Sequence, residues 1–256
     1  MKIEKRRRGW SLEKKGTRMS LQHIQVIAFD ADDTLWENEN FFREAEHDFC
    51  RVMAEFQPDK KVMEALYRTE VQNMELYGYG IKAFILSLIE TALLVSDKKV
   101  RPEQIEAIIG IGKDMLQKDV ILLDGIVDLL DQLYGKYRLV LATKGDLLDQ
   151  ERKLKKSGLL KYFHHIEIMT HKRKENYQEL LKHLDIPAEN LLMIGNSLKS
   201  DILPVIELGG YGAHVPYYTT WIFEQMDPKD IQSERFFELK QIHEVLDLFS
   251  ETFSYT

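Results

Sequence analysis

The sequence of 256 residues has few of the features that stabilise secreted or membrane proteins. Its only cysteine is Cys50, so no disulfide can form within the chain. In a helical stretch such a residue is expected to be a small buried hydrophobe. No apolar run approaches the ~20 residues of a membrane span, and no secretory signal, internal repeat or low-complexity segment is found. These absences predict a cytoplasmic protein with no membrane association.

Positive charge is concentrated at the start of the sequence. Residues 1–20 contain eight Lys and Arg against two Glu, a charge of +6, which leaves −13 for the rest of a chain of net charge −7. A basic arm can bind nucleic acid or an anionic membrane, but the acidic body argues against nucleic acid as the main partner. We therefore predict that residues 1–18 form a disordered basic leader, with Met19 at a position where a chain could begin.

The spacing of apolar residues changes along the chain. Residues 21–29 are rich in Ile, Val and Phe, which predicts a buried strand. Residues 37–120 have apolar side chains at intervals of three and four, which is typical of helices packed on one face. Beyond residue 120, strands alternate with helices, a pattern that predicts a parallel sheet with right-handed crossovers. Because residues 37–120 are too long for one crossover, we expect them to form a separate helical domain inserted after the first strand.

Polar residues follow several of the predicted strands. Asp30 and Asp32 come after the first strand, Thr143 ends the strand at 138–143, and Asn196 and Asp201 follow the strand at 191–194. Since sites in open parallel sheets lie at the carboxyl ends of the strands, these side chains are expected to meet at one edge. The adjacent carboxylates in residues 30–33 repel one another, which indicates a bound cation or a chemical task.

Phosphoryl transfer is the chemistry that fits this set of side chains. A carboxylate can attack phosphorus and form an acyl phosphate, which water then breaks. A second acid two residues away lies on the same side of an extended segment, where it can protonate the leaving oxygen and later activate the water. The nucleophile and the phosphate are both negative, so a hard divalent cation such as Mg²⁺ is required. A threonine and a lysine can then bind the phosphoryl oxygens.

With these motifs the chain resembles the haloacid dehalogenase-like superfamily. The first motif of that family, Asp-x-Asp-x-Thr, is matched at residues 30–34, and the strand-end hydroxyl by Thr143. The motif lysine before a helix is matched by Lys172, with Lys174 as the alternative, and the Gly-Asp-Ser-x-x-x-Asp type of motif by residues 195–201. The resemblance spans residues 24–215 and implies an α/β fold: a Rossmann-like parallel sheet core at 19–36 and 121–256, with an inserted all-helical cap at 37–120.

The resemblance also implies a function and a role for each motif residue. It implies Mg²⁺-dependent hydrolysis of a small phosphate monoester through an aspartyl-phosphate intermediate, in other words a phosphatase. Asp30 would be the nucleophile and a metal ligand, and Asp32 the general acid/base with its backbone carbonyl on the metal. Asn196 and Asp201 would complete the metal site, and Thr143 and Lys172 would bind the phosphoryl group.

Three positions depart from the family pattern. Asp33 stands where glycine is common, Lys144 where asparagine is common, and Asn196 replaces an acid, so that its amide oxygen brings no charge to Mg²⁺. The alternatives are a phosphomutase, a dehalogenase or a catalytically weak binding or regulatory protein. Dehalogenase chemistry needs neither Mg²⁺ nor an acid, so Asp32 argues against it. Asn196 and Lys144 are the support for a binding protein.

Other conspicuous residues have plainer interpretations. His164 and His165 are adjacent in a predicted strand and point to opposite faces, so we interpret them as structural rather than as joint metal ligands. Residues 73–80 are expected in the core of the cap, although tyrosines flanked by glycines could also form a loop over the site. Residues 217–221 could line its rim or pack on the surface. No pattern indicates an oligomeric state.

Overall fold

Six short strands form one parallel sheet at the centre of the computed structural model, which describes residues 21–219, 221 and 224–249. The strands are β1 (Val26–Phe29), β2 (Arg138–Lys144), β3 (His165–Met169), β4 (Leu191–Gly195), β5 (Tyr211–His214) and β6 (Phe236–Glu238). Their order is β3-β2-β1-β4-β5-β6, and every neighbouring pair is parallel. The predicted leader, residues 1–18, lies outside the described residues.

Strand β1 is buried on both faces, which explains its unbroken apolar sequence. Ile27 and Phe29 belong to the hydrophobic cluster on one face of the sheet, and Val26 and Ala28 to the cluster on the other. Successive residues of a strand point to opposite faces, so a strand covered twice needs apolar side chains at every position. Since β1 pairs with β2 on one side and β4 on the other, its carboxyl end lies in the middle of the sheet.

Helices cover both faces of the sheet. The α-helices that follow β1 and its insertion are α5 (Ile126–Leu133), α6 (Leu147–Ser157), α7 (Lys174–Leu184) and α8 (Leu203–Glu207). Buried residues of α5 and α6 belong to one cluster, and those of α7 and α8 to the other. This arrangement confirms the predicted fold class, an α/β fold with a Rossmann-like parallel sheet. Within the described part of the chain, no helix is long and apolar enough to cross a membrane.

Shorter helical turns complete this part of the structure. A π-helical turn at Leu198–Ile202 leads into α8, and 3₁₀ turns lie at Leu159–Tyr162, Ala188–Asn190, Pro228–Asp230 and Ile242–Phe249. The last of these replaces the α-helix that its apolar spacing predicts. Its apolar residues nevertheless contribute to the hydrophobic cluster that includes α5.

Between β1 and α5 lies an insertion of four helices with a hydrophobic core of its own. These are α1 (Glu39–Met53), α2 (Asp59–Tyr77), α3 (Ile81–Val95) and α4 (Pro102–Gln117), here called the helical insertion. Its fully buried residues include Phe49, Leu66, Leu88 and Ile108. The nearly uniform apolar sequence of α3 predicts burial all round, and this prediction is wrong. Leu86, Leu93 and Leu94 are 45%, 42% and 63% exposed, because α3 packs against α2 and α4 and leaves one stripe uncovered.

Candidate active site

The carboxyl ends of β1, β2 and β4 open into one cavity beneath the helical insertion. All of the site residues predicted from the sequence line this cavity: Asp30, Asp32, Thr143, Lys172, Asn196 and Asp201. They come from segments that are far apart in the sequence, and the parallel register of the central strands brings them together. The cavity is closed from above by residues of α1, α2, α3 and the α2–α3 loop.

Lys172 joins two buried carboxylates at the floor of the cavity. Its Nζ donates a hydrogen bond of 2.6 Å to Asp201 Oδ1 and another to Asp30 Oδ1. Lys172, Asp30 and Asp201 are only 5%, 6% and 1% exposed. Two carboxylates at this depth need a cation beside them, because an unpaired buried charge is strongly unfavourable. Lys172 is thus the lysine that contacts Asp30. The alternative from the sequence, Lys174, is the first residue of α7.

The ionisation of this cluster follows from its burial and its charges. Burial raises the pKa of Asp30 to about 7, although the Lys172 ammonium acts in the opposite direction. Burial alone would lower the pKa of Lys172, but the carboxylates of Asp201 and Asp30 outweigh it and keep that pKa above its usual value. Lys172 is therefore a permanent cation at neutral pH, whereas Asp30 titrates close to neutrality.

The Asp32 carboxylate is held by three donors. Its Oδ1 accepts hydrogen bonds from Trp36 Nε1 at 2.7 Å and Lys153 Nζ at 2.6 Å, and its Oδ2 accepts one from Gln150 Nε2 at 2.8 Å. Burial raises the pKa of Asp32, but the Lys153 charge and the hydrogen bonds prevail, so the pKa lies below its ordinary value. Asp32 is thus an ionised, fixed carboxylate in this arrangement.

The third acid of the sequence motif is a helix cap. Asp33 has a left-handed backbone with φ of 59°, and its carboxylate accepts backbone N–H hydrogen bonds from Asn38 at 2.9 Å and Glu39 at 3.1 Å. These amides belong to the start of α1, where no side-chain cap comes from the residue directly before the helix. Burial raises the pKa of Asp33 to about 8, although the two backbone hydrogen bonds favour the carboxylate and act to lower that pKa. Asp33 therefore ties the end of β1 to the first helix of the insertion.

Oxygen atoms suited to a divalent cation converge beside Lys172. Thr34 Oγ1 lies 3.2 Å from both Asp30 Oδ2 and Asn196 Oδ1, so both oxygens contact the same hydroxyl. Asp201 approaches from the other side of the β4 end, where a Cβ on Gly195 would lie 2.2 Å from Asp201 Oδ2. A residue larger than glycine at position 195 would therefore collide with the Asp201 carboxylate. Two buried carboxylates and one amide oxygen, with the Lys172 ammonium beside them, fit Mg²⁺, which prefers oxygen ligands.

Gln150 and Lys153 are two site residues that the sequence did not reveal. Both lie on α6, and Gln150 Nε2 also lies 3.3 Å from the buried Thr143 Oγ1 and donates to the Lys144 carbonyl oxygen at 2.8 Å. Their spacing of three residues places them on one face of the helix. That spacing alone does not identify Lys153 as a site residue, because α6 also carries Lys155 and Lys156, which lie in its last turn.

Lys144, which replaces the asparagine common in the family, belongs to a charged network at the rim. Its Nζ donates to Ser200 Oγ at 3.2 Å and to the Glu224 carboxylate, which also accepts from the Ser197 and Ser200 hydroxyls. Burial raises the pKa of Glu224, but the Lys144 charge and the three hydrogen bonds lower it to about 2. Lys144 is therefore neutralised by a neighbour rather than left as an isolated cation.

Aromatic rings cover the same lysine. Lys144 Nζ lies 4.7 Å from the centre of the Tyr79 ring and 5.7 Å from that of Trp221. Tyr79 belongs to the α2–α3 loop and lines the cavity together with Gly78 and Gly80. The expectation that residues 73–80 lie in the core of the cap is thus wrong for this loop, because two glycines with positive φ turn it over the site. Trp221 lines the cavity, which agrees with the interpretation that residues 217–221 line the rim of the site.

The part of the cavity farthest from the sheet is apolar and acidic. Phe42 and Phe84 lie there with Glu39 and Glu70. Glu39 pairs with Arg43, at 2.9 Å. For Glu70, neither a hydrogen bond nor an ion pair is found within the described ranges. Burial, followed by the charges of neighbouring glutamates, raises the pKa of Glu70 to about 8.

Glu70 should make the folded state less stable as the pH rises. Its pKa is about 8 in the folded protein against an ordinary value of 4.5, so the folded state holds a proton that the unfolded state releases. This contribution is complete below pH 4.5, declines as the pH rises and is lost above pH 8. We expect Glu70→Gln to be more stable than the native chain by about 1–2 kcal/mol at pH 9, and nearly equal to it at pH 5. Urea unfolding at both pH values measures this, with the exposed Glu64→Gln on the same helix as control. A gain that is the same at both pH values would contradict the role given to Glu70.

Comparison with known proteins places this site in a family. The family model for haloacid dehalogenase-like hydrolases matches residues 24–209. A haloacid dehalogenase-like family hydrolase from Xanthomonas campestris is 34% identical, with a TM-score of 0.79 over 91% of this chain and 94% of that one. A protein from Haemophilus somnus, described as a predicted phosphoglycolate phosphatase, shares the fold at 14% identity and a TM-score of 0.59, over 90% of this chain and 99% of that one.

A relative in Bacillus subtilis is similar along almost its whole length. The HAD-hydrolase YfnB is 25% identical over 239 residues, which are 90% of this chain and 97% of that protein. The crystal structure of YfnB, determined with magnesium bound, reveals interdomain movement in that protein. The comparison of the two structures gives a TM-score of 0.62 at 18% identity, over 88% of this chain and 98% of that one. Together with the family model, which covers most of the sequence and all of the motif residues, these similarities show that the chain belongs to the haloacid dehalogenase-like hydrolases.

Proposed function

We propose that this chain is a Mg²⁺-dependent phosphatase that hydrolyses a small phosphate monoester through an aspartyl-phosphate intermediate. The observation that carries this proposal is the position of two acids in one cavity. Asp30 lies beside Lys172 and Asp201, and Asp32 lines the same cavity two residues further on. A reaction at carbon with a halide as the leaving group needs no second acid, whereas release of an alcohol from phosphorus does.

The metal ligands in this proposal are the oxygens that converge at the strand ends. Asp30, Asn196 and Asp201 would hold Mg²⁺, with the backbone carbonyl of Asp32. When bound, Mg²⁺ neutralises negative charge on the nucleophile and the phosphoryl oxygens. Lys172 supplies a further positive charge, and the Thr143 hydroxyl a hydrogen bond, for the phosphoryl group in the same cavity.

In the first step an oxygen of Asp30 attacks phosphorus, and the bond from phosphorus to the ester oxygen breaks. Asp32 gives a proton to the departing alcohol. In the second step a water molecule attacks the phosphorus of the aspartyl phosphate and loses its proton to Asp32. The bond from phosphorus to the Asp30 oxygen then breaks, which releases inorganic phosphate and restores the enzyme.

The contacts of Asp32 set a condition on this mechanism. Its carboxylate accepts hydrogen bonds from Trp36, Gln150 and Lys153, and its pKa lies below the ordinary value. Proton delivery therefore requires the protonated form of Asp32, which the second step of the preceding turnover supplies when Asp32 accepts a proton from water. It also requires Asp32 to exchange at least one of these donors for the ester oxygen of the substrate. The ionised form found here suits the second step, in which Asp32 accepts a proton from water.

The helical insertion acts as a cap in this proposal. Among the described residues, Lys and Arg side chains form two ion pairs between it and the core, Lys82 with Asp146 at 3.0 Å and Arg173 with Glu75 at 2.6 Å. These exposed pairs are individually weak, so they permit the cap to open for substrate entry. The covered cavity favours a small phosphorylated metabolite as the partner rather than nucleic acid. We keep the cytoplasm as the expected compartment of the enzyme.

Phosphate release tests this function directly. The full chain is incubated with an aryl phosphate and a panel of small phosphate esters, with Mg²⁺ and with a chelator, and inorganic phosphate is measured. We expect release that depends on Mg²⁺. Isomerisation of a sugar phosphate without phosphate release would indicate a phosphomutase, and halide release from a 2-haloacid without metal would indicate a dehalogenase. No turnover on the whole panel would favour a binding or regulatory protein.

A further inference from the structure

Two histidines and a glutamate lie together at the opposite end of the sheet from the proposed catalytic cavity. His165 and Glu167 are at the start and middle of the edge strand β3, and His183 is in the last turn of α7. The ligand atoms of these three residues all lie within 4.8 Å of one another. We propose that His165, Glu167 and His183 form a second metal site, which takes Zn²⁺ or a similar transition-metal ion and is separate from the proposed Mg²⁺ site.

The strand and the helix each contribute to this cluster for a simple geometric reason. His165 and Glu167 are two residues apart, so their side chains project from the same face of β3. α7 returns along that face and places His183 beside them. His164 points the other way, where its Nδ1 accepts the Leu139 amide at 3.1 Å. His164 and His165 are therefore not placed to bind one metal together, as their adjacent positions predict, but His165 has a ligand's role here instead of a purely structural one.

The ligand atoms are already close to a coordination geometry. Glu167 Oε2 lies 2.8 Å from His165 Nε2 and 3.1 Å from His183 Nδ1. Ligands around a tetrahedral Zn²⁺ are about 3.3 Å apart, since Zn–N and Zn–O bonds are about 2.0–2.1 Å. The two distances from Glu167 Oε2 need to lengthen by only a few tenths of an ångström, and the ligand atoms of the two histidines lie within 4.8 Å of each other. The His183 side chain, 56% exposed, is able to move.

The donor set selects the kind of ion. Two imidazoles and one carboxylate suit Zn²⁺, Co²⁺ or Ni²⁺, whereas Mg²⁺ prefers oxygen ligands alone. A cation at the carboxyl end of α7 is also favoured by the helix dipole. Three protein ligands leave a fourth position for water, which the exposure of His183 makes accessible. A bound ion would connect the edge strand to the helix that follows it.

Metal titration of the untagged full chain tests this site. Zn²⁺ and Co²⁺ are added in the presence of excess Mg²⁺, and binding is followed by calorimetry, by the visible absorption of Co²⁺ and by the melting temperature. We expect one equivalent to bind and to raise the melting temperature. His183→Ala should weaken this binding by at least about 10-fold and remove the Co²⁺ absorption. The exposed His243→Ala serves as the matched control and should bind like the native chain.

The result does not depend on the proposed phosphatase activity, because every readout is binding or stability. Glu167→Gln provides a second variant, which keeps both imidazoles and removes the negative charge, and circular dichroism verifies that each variant is folded. Equal affinity and equal Co²⁺ absorption in the native chain and in His183→Ala would place the ion elsewhere and overturn the proposal. Absence of binding up to about 100-fold excess of metal over protein would overturn it as well.

Discussion

Replacement of Asp30 by Asn is expected to reduce turnover of an aryl phosphate by at least about 10³-fold. The amide that replaces the carboxylate is a poor nucleophile, so no aspartyl phosphate can form. The same change removes one negative charge beside Lys172 and Asp201, in a cluster that is almost completely buried. Steady-state phosphate release at saturating Mg²⁺ measures the loss. Asp128→Asn, the same chemical change at an exposed position on α5, is the control and should leave turnover within about 2-fold of the native value.

Isotope labelling distinguishes attack by water on phosphorus from attack by water on the carbonyl carbon of Asp30. A single turnover of the native enzyme in ¹⁸O-labelled water should place the label in the released phosphate, because water attacks phosphorus. If water attacked the carbonyl carbon of an Asp30 ester instead, as in dehalogenase chemistry, the label would appear in the Asp30 carboxylate. Mass spectrometry of the phosphate and of the peptide that contains Asp30 gives the answer. Retention of substantial turnover in Asp30→Asn would exclude covalent catalysis by this residue.

The fold was predictable because its main signals are local. A strand buried on both faces must be apolar at every position, as β1 is, and a helix that packs on one side shows apolar residues at intervals of three and four. These signals predict the strands at 21–29, 138–143 and 191–194, the helical stretch at 37–120 and the alternation of strands with helices beyond residue 120. Exposure was harder to predict, since the apolar sequence of α3 does not reveal that its neighbours, mainly α2 and α4, leave one stripe of the helix uncovered. The 3₁₀ form at 242–249 was also missed, because its apolar spacing resembles that of an α-helix.

The candidate site was predictable to the extent that strand ends determine it. Parallel strands bring their carboxyl ends to one edge, and this geometry placed Asp30, Thr143 and Asn196 in the same cavity. No comparable rule predicts which residues of the helices and loops reach the cavity. Lys153 contacts Asp32 because of the rotation of α6 on the sheet, and Glu224 contacts Lys144 because of a loop path that no periodicity encodes.

Removal of the Lys172 charge is expected to destabilise the metal-free protein by about 3–5 kcal/mol. In Lys172→Met, Asp30 and Asp201 would face each other without the ammonium that now contacts both. Neither carboxylate can reach solvent readily, since the two residues are 6% and 1% exposed. The pKa of Asp30, already raised by burial, should rise further once the opposing charge of Lys172 is removed. The folded variant should then take up a proton that the unfolded chain does not hold, so the loss of stability should be larger at pH 8 than at pH 5.

Urea unfolding of the native chain and of Lys172→Met, each with a chelator and with Mg²⁺, measures this effect. Mg²⁺ should stabilise the variant more than the native chain, because a divalent ion between the two carboxylates replaces part of the missing charge. Lys174→Met is the matched control: Lys174 is the neighbouring alternative to the motif lysine and is half-buried at the first position of α7. Its loss should change the free energy of unfolding by less than about 1 kcal/mol. Equal destabilisation by the two substitutions would mean that Lys172 does not neutralise the buried acids, and the basis for assigning it to the phosphoryl site would then be lost.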